Sequence, residues 1–317
     1  MTILSQGSAR SGEEFRWAAF QSRIESANTA WAAEHPAVPL YALIDARGLP
    51  DLRTALKRLE SVPFEALWDG TDLSAFKDIS PLLIAVDSAA LDVNASIQLL
   101  RRIWRFAEES FAVTWVWSPK ELGELANHFR AYTEYTLPDR RAFYLHFCDN
   151  RILERLRLVW TQEEQDCFAS AASEIWYRGR AGEDCVWHVE IPCQPRTQGE
   201  FTMTDEQHLA LLALGSADKV ALQLTEICGV RLEHLSPDEL YMAICDQMKR
   251  AARYGIRGEK DLLAYVSKGL LVSARFDEHP EIHALLQSTA DGRIAFGEVL
   301  SQVDDDFRQT LQALGIR

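Results

Sequence analysis

The pattern of apolar residues changes part-way along this chain of 317 residues. Up to Trp160, short apolar runs typical of strands alternate with segments of helical periodicity; the clearest runs are LYALID at 40–45, PLLIAV at 81–86 and FAVTWVW at 111–117. Strands that alternate with helices predict an α/β layer with at least partly parallel pairing. Beyond about residue 205 only helical periodicity remains. The pattern therefore predicts an α+β or α/β chain, in which an N-terminal mixed-sheet α/β domain is followed by an all-helical C-terminal domain.

Two breaks in the pattern predict the domain boundaries. The first follows a helical stripe of four apolar residues: Phe20, Ile24, Ala27 and Trp31. His35-Pro36 ends that stripe, because proline cannot continue a helix. The second break is Pro192–Gly199, a polar stretch with prolines and a glycine that is typical of a linker. We therefore predict an N-terminal helix at 1–35, an α/β domain at 36–196 and a helical domain at 200–317.

Shorter signals predict individual elements. Ser118–Glu121 and Ser236–Glu239 both read Ser-Pro-x-Glu, which predicts a capping box with proline at the first helical position. The runs 175–178 and 186–191 predict a hairpin, and 143–148 predicts a strand that turns directly into a helix. In the C-terminal domain the expected helices lie near 205–214, 217–228, 237–254, 259–274, 280–288 and 294–313.

Charge and hydropathy exclude several classes of partner. The chain carries 47 acidic and 33 basic residues, a net charge of −14, which argues against binding nucleic acid or an anionic membrane. Its start lacks the apolar core of a secretory signal, and no run approaches the roughly 18 apolar residues of a membrane span. Six cysteines without a CxxC pair predict reduced thiols. Together these observations predict a cytoplasmic protein.

Two groups of residues invite a catalytic or metal-binding interpretation. Alternation along 143–148 would place Tyr144, His146 and Cys148 on one face, yet neighbours two apart on a strand are roughly 7 Å apart, which is long for a Cys-His nucleophile pair. The alternative is that Cys148 packs as a small hydrophobe. His279 and His283 are spaced as helical metal ligands, but proline follows the first histidine and no third ligand is evident. Phosphate-binding glycine motifs are missing as well, so the sequence predicts no metal site, no cofactor and no enzymatic activity.

Motifs in a fixed order carry a family resemblance. They are the strand Tyr41–Asp45 (YALID), the turn Trp68-Asp69-Gly70-Thr71, Pro81-Leu82-Leu83, a helix with Leu122, Leu125, His128 and Arg130, and a closing motif with Phe143, Asp149, Arg151 and Leu153. This series resembles the effector chaperone (adaptor) family of type VI secretion. Three positions depart from the family pattern: Phe129 replaces a leucine, Tyr144 an arginine and Asn150 a proline.

The resemblance implies a non-catalytic adaptor that binds one toxic effector, stabilises it and loads it onto the valine-glycine-repeat spike protein. The resemblance implies that most motif residues, among them Asp45, Trp68, Gly70 and Pro81, stabilise the fold. The alternative is that they contact a partner. Asp149 at a strand-to-helix turn can cap the helix, and Arg130 or Arg151 can pair with a buried carboxylate. Two other functions stay open: a Cys-His hydrolase that uses Cys148 and His146, and an immunity protein whose acidic surface blocks a basic toxin.

Overall fold

A computed structural model describes residues 3–34, 38–49, 51–59, 61–86, 93–188, 201–228, 232 and 234–290. The chain folds into two compact units, Met1–Leu211 and Leu212–Arg317. The first contains a six-stranded sheet and the second contains helices, which confirms the α+β class. The predicted linker at 192–199 and the predicted helix at 294–313 lie outside the described residues, so the predicted domain boundaries stay predictions.

The first unit alternates helices and strands. Its elements are α1 Ile3–Glu34, β1 Leu40–Ile44, α2 Leu52–Arg58, β2 Phe64–Ala66, β3 Leu82–Ala85, α3 Val93–Glu109, β4 Val113–Trp117, α4 Leu122–Arg130, β5 Glu134–Thr136, β6 Ala142–Tyr144, α5 Asn150–Val159, α6 Gln162–Ala169, β7 Glu174–Arg178 and β8 Asp184–His188. Short 3₁₀ turns follow β1 at 46–48 and β2 at 72–79. Most of these elements lie where the apolar pattern placed them.

The main sheet has the strand order β2-β3-β1-β4-β7-β8. All pairs of these strands are antiparallel, so the expectation of partly parallel pairing is wrong for the sheets; a parallel contact in the described residues is the isolated bridge between Thr136 and Thr202. The error has a physical cause. Strands β1, β3 and β4 are buried along their whole length because helices cover both faces. A continuous apolar run marks a strand buried on both faces and carries no information on its direction.

Two hydrophobic layers lie on opposite faces of this sheet. Along β1, Tyr41 and Leu43 point into one layer and the alternate residues Leu40, Ala42 and Ile44 into the other, as the period of two requires. Helices α4, α5 and α6 cover the first layer, and α1 and α3 cover the second. The predicted stripe of α1, from Phe20 to Trp31, packs against this second layer.

A second, two-stranded sheet corrects the prediction of a strand at 143–148. Only Ala142–Tyr144 is extended, as β6, and it pairs with β5 outside the main sheet. The chain then turns, with the Asp149 amide donating to the His146 carbonyl at 3.0 Å. The Leu145 amide still donates to the Thr133 carbonyl at 2.9 Å, but Phe147 lies in the turn, and its apolar side chain enters the core from there. The predicted hairpin is confirmed as β7 and β8.

The two predicted capping boxes have different outcomes. The Ser236 hydroxyl accepts a hydrogen bond from the Glu239 amide, and the Glu239 carboxylate accepts one from the Ser236 amide at 2.8 Å, as expected. Ser118 does not cap α4, which begins only at Leu122: its buried hydroxyl accepts from the Lys120 amide at 3.1 Å and donates to the Ala171 carbonyl at 2.6 Å. The serine therefore holds the turn before α4 instead of capping the helix.

The helices of the C-terminal part are α7 Asp205–Cys228, α8 Pro237–Arg253, α9 Glu259–Leu271 and α10 Pro280–Ala290. Helix α7 is continuous where the sequence predicted two helices. Pro280 begins α10, as predicted. Among the described residues, no helix has both the length and the apolar character that crossing a membrane requires.

One buried ion pair links α8 to the turn before α10. Asp277 is 1% exposed and accepts hydrogen bonds from Arg250 Nε at 3.1 Å and Nη2 at 2.5 Å. The hydroxyl of Tyr254 donates to the same carboxylate at 3.3 Å. Glu278 also contacts Arg250, at 2.7 Å, but lies at the surface. The carboxylate of Asp277 is therefore the buried centre of this polar network.

Candidate functional site

Asp45, Asp149 and Arg151 of the sequence motifs meet in one ion cluster, although the first is far from the others in the chain. Arg47 joins the two carboxylates: its guanidinium lies 2.5 Å from Asp45 Oδ2 and 3.2 Å from Asp149 Oδ2. Arg151 donates to Asp149 at 2.7 Å. Both carboxylates are buried and both guanidinium groups are partly exposed. The cluster therefore ties the end of β1 to the start of α5.

Asp149 is also the cap of helix α5. Its side chain accepts a hydrogen bond from the Arg151 amide at 3.0 Å, which satisfies a free amide of the first turn. Burial on its own would raise the pKa of Asp149, but hydrogen bonds from Arg151 and the charge of Arg47 outweigh it and lower that pKa. The carboxylate is thus held in its charged form by its neighbours.

Asn150, which stands where the resembled family carries proline, fills a second structural role. Its amide side chain accepts from the Thr114 hydroxyl at 2.8 Å and donates to the Val113 carbonyl at 3.0 Å. Its backbone amide donates to the Phe111 carbonyl at 2.7 Å. Proline would suit the first position of a helix but could not make these bonds. In this chain the asparagine connects α5 to the start of β4.

A second group of motif residues surrounds the turn after β2. Gly70 has a φ of +78°, a left-handed conformation that glycine adopts without strain. Arg130 lies over this turn and donates to the Leu67 carbonyl at 2.9 Å.

The neighbouring motif residue Trp68 is buried, and its amide donates to the Ser80 hydroxyl at 3.0 Å, next to Pro81. A small cavity of about 180 Å³ is lined by Gly70, Thr71, Arg130 and Glu134, among others. Gly70 and Arg130 of the motifs therefore reach the surface at this cavity.

The remaining motif residues are packing residues. His128 is buried, and its Nε2 lies 2.7 Å from the Phe168 carbonyl, so that nitrogen carries the proton. Burial lowers the pKa of His128, which keeps the ring neutral. Leu153 is buried in the layer under α5. Phe143 stacks on Tyr135, with ring centroids 5.5 Å apart. Contact of any motif residue with a partner stays a prediction.

Sequence reasoning did not single out Arg47, although it bridges the two buried carboxylates. Its only local signal is its position two residues after Asp45, which matches the spacing of Asp149 and Arg151. In both pairs the arginine amide and the guanidinium bind the same aspartate. The bridge itself needs the fold, because Arg47 and Asp149 are 102 residues apart.

The sequence motifs lie within a segment that matches the model of a known protein family. Residues 40–167 match the model of the family described as "Domain of unknown function (DUF4123)". This family is associated with effectors of type VI secretion. The matched segment runs from β1 into α6 and contains both motif groups, while α1, β7, β8 and the C-terminal helices lie outside it. The match covers less than half of the chain.

The other comparisons add little. The tRNA-specific 2-thiouridylase MnmA of Thermotoga sp. (strain RQ2) is 29% identical over 86 residues. That similarity covers 25% of this chain and 23% of the thiouridylase, too little to transfer a fold or an activity. No solved structure matches the chain.

Within the matched segment 40–167, Tyr144, His146 and Cys148 do not share a face. Tyr144 is 54% exposed whereas Cys148 is 1% exposed, because the chain leaves the strand after Tyr144. Burial raises the pKa of the Cys148 thiol well above its usual value, so the reactive thiolate is scarce. Burial and the charge of Arg47 lower the pKa of His146. This geometry favours the packing interpretation of Cys148.

The prediction of six reduced thiols needs one correction. Cys167 is disulfide-bonded, whereas Cys148, Cys185 and Cys245 are free. A missing CxxC pair excludes only local bridges, and the fold can bring distant cysteines within bonding distance.

We expect the Cys148 thiol to resist alkylation in the folded protein. Its burial and raised pKa should make its reaction with iodoacetamide at pH 7.5 at least about tenfold slower than that of the half-buried Cys245. Mass spectrometry of peptides after timed labelling measures both rates, and labelling in denaturant supplies the control. Equal rates in the native protein would revive Cys148 as a nucleophile.

Neither candidate metal group has the chemistry of a firm site. His283 Nδ1 lies 3.2 Å from the Tyr254 hydroxyl, which already serves as its partner. Within the described residues, Glu154, Glu183 and Cys185 place ligand atoms within 4.8 Å of one another, a group that sequence reasoning missed. Burial raises the pKa of Cys185, which opposes the thiolate that a metal would need. Exposed acidic groups of this kind are common without an ion.

Proposed function

We propose that the protein is a non-catalytic adaptor that binds a cognate toxic effector of type VI secretion in the cytoplasm. In this proposal it stabilises the effector and loads it onto the valine-glycine-repeat spike protein. The observation that carries the proposal is the match of residues 40–167 to a family associated with such effectors. The order of the motifs along β1, the Gly70 turn, α4 and α5 supports the same assignment.

The way this segment uses its charged residues supports binding rather than catalysis. Asp45, Asp149 and Arg151 are engaged in a structural ion cluster, and His128 is a neutral packing residue. Cys148 is buried with a raised pKa. These groups therefore build a scaffold, and a scaffold that presents a surface suits an adaptor.

The physical basis of such an adaptor is mass action. A protein that binds only the folded effector stabilises it by RT ln(1 + [L]/Kd), about 2.7 kcal/mol at a hundredfold excess over Kd. A complex that survives until loading should bury roughly 1,200–2,000 Å² in total. No catalytic step is needed for either effect.

A deletion strain tests the proposal and separates it from its rivals. We expect removal of the gene to abolish secretion of one type VI toxin while the other toxins are still secreted. The full chain should co-purify with that toxin and with the spike protein. Poisoning of the deletion strain by its own toxin would instead identify an immunity protein. Unchanged secretion of every toxin would contradict the adaptor.

A further inference from the structure

A cleft of about 540 Å³ lies in the first unit, between helix α1 and one end of the main sheet. Its walls come from α1, α3, β4, β7 and β8, and three tryptophans and three arginines characterise its lining: Trp104, Trp115, Trp176, Arg16, Arg23 and Arg178. A volume of several hundred Å³ accommodates a few side chains of a ligand. Phe15 at the cleft is 77% exposed, so its ring is available for contact with a ligand.

The residues that line this cleft carry a net positive charge, whereas the chain as a whole is acidic. Three guanidinium groups face two carboxylates, whereas the chain as a whole has 47 acidic and 33 basic residues. Glu108 is shared, at 2.9 Å from Arg16 and 3.4 Å from Arg178. One positive charge of the cleft is therefore not balanced by a carboxylate of the lining.

Arg23 is the arginine best placed to receive a ligand. Its guanidinium carbon lies 4.0 Å from the centroid of the Trp176 ring, a cation–π contact that helps to hold the group in place. Its carboxylate partner, Asp184 at 2.9 Å, has a side chain that is 73% exposed. Such an exposed pair contributes little and exchanges readily for another carboxylate. A stacked guanidinium offers an incoming carboxylate two parallel hydrogen bonds.

The position of the cleft indicates which partner it serves. The arginines of the cleft belong to α1 and β7, outside the segment 40–167 that matches the family. Contacts with the spike protein are a function that the proposal assigns to the adaptors as a class. Recognition of one cognate effector has to differ between them, so residues outside the shared segment are suited to it.

From these observations we infer that the cleft binds a segment of the effector in which a carboxylate lies next to an aromatic residue or leucine. This inference rests on the proposed function. The carboxylate pairs with Arg23 and displaces Asp184, and the apolar side chain packs between Phe15 and the tryptophans. Arg16, which is 59% exposed, adds a second contact at the rim.

Charge reversal tests this site. The toxin that depends on this gene for its secretion is the probe, titrated calorimetrically with the full chain and its variants. We expect Arg23→Glu and Arg16→Glu combined to weaken binding by about 100-fold, because two guanidinium contacts become repulsive. Phe15→Ser, a surface change, should weaken it about tenfold. An array of 15-residue peptides from the toxin should bind wild-type protein only at peptides with the stated pattern.

Arg141→Glu is the matched control, because Arg141 also pairs with an exposed aspartate and lies over an aromatic ring, Phe143. Its affinity should stay within about twofold of wild type. Circular dichroism and the thermal midpoint show whether each variant is folded, and Phe15→Ser keeps the test valid if the double variant unfolds.

The possible results distinguish an effector site in the cleft from a dimer interface, and both from a failure of the proposed function. If wild type and the cleft variants bind the toxin equally, the cleft is not the binding site, but the adaptor function is unaffected. The same conclusion follows if the array shows binding to peptides without a carboxylate. Dimeric wild type beside monomeric cleft variants in light scattering would assign the cleft to a second copy of this chain and overturn the inference. No binding of the toxin by wild-type protein overturns the proposed function as well.

Discussion

Replacement of Asp277 by alanine should destabilise the helical unit by about 3–5 kcal/mol in the free energy of unfolding. The carboxylate is 1% exposed, and Arg250 and Tyr254 direct their donors at it. Its removal leaves the guanidinium of Arg250, itself only 12% exposed, without its buried partner. Chemical denaturation followed by far-UV circular dichroism measures the effect.

Glu278→Ala is the control for this variant. Glu278 contacts the same guanidinium at 2.7 Å, but its side chain is 52% exposed, so solvent screens the pair. We expect a loss below about 1 kcal/mol. If the two alanine variants were equally stable, the buried network would not be what holds α8 to the turn before α10.

The second large effect is expected at Asp149. Asp149→Ala removes the cap of α5 and the carboxylate that Arg151 and Arg47 share. A cap contributes about 1 kcal/mol, and because both guanidinium groups are more than a third exposed, the ion pairs add only about 1–2 kcal/mol. All nine tryptophans lie at or before Trp187, so tryptophan fluorescence reports on the unfolding of this part of the chain.

Asp139 supplies a matched control for Asp149. It also binds the amide and the guanidinium of the arginine two residues later, Arg141, but at the surface. Asp139→Ala should leave the unfolding transition almost unchanged. A comparable loss at both positions would mean that the local Asp-Arg pairing, rather than burial and helix capping, determines the effect.

Acid should reproduce part of the Asp149 effect. Since the folded state lowers the pKa of Asp149, its stabilisation is complete above the unfolded value of about 3.9 and is lost as pH falls through the lower folded pKa. Wild-type stability should therefore decrease below about pH 5, and the Asp149→Ala variant should show a shallower decrease. Denaturation curves from pH 7 to pH 2 measure the two slopes.

Local patterns predicted a large part of this fold. The helical stripe from Phe20 to Trp31 and the continuous apolar strands are properties of contiguous residues, and they appear in the structure. The direction of strand pairing was not predictable, because it depends on how the chain returns to the sheet. The strand at 143–148 was mispredicted because Phe147 and Cys148, which are apolar, are buried in a turn and not in a strand.

The candidate site was likewise predictable from sequence only where a role depends on neighbouring residues. Spacing alone indicated that Asp149 could cap a helix, which is what its side chain does. The bridge through Arg47 spans 102 residues of sequence and has no local signature. The arginine-lined cleft combines α1 with β7 and β8, and no pattern within any one of these elements indicates a binding surface.

The boundaries of the matched segment and of the folded sheet do not coincide. Residues 40–167 contain four strands of the main sheet, while β7, β8 and the covering helix α1 come from outside. Trp117, in β4, packs edge-on against Trp176 of β7, with ring centroids 5.4 Å apart, so the segment alone would expose the interior of its own core. Transplanting this module between related proteins therefore requires the helix before it and the hairpin after it.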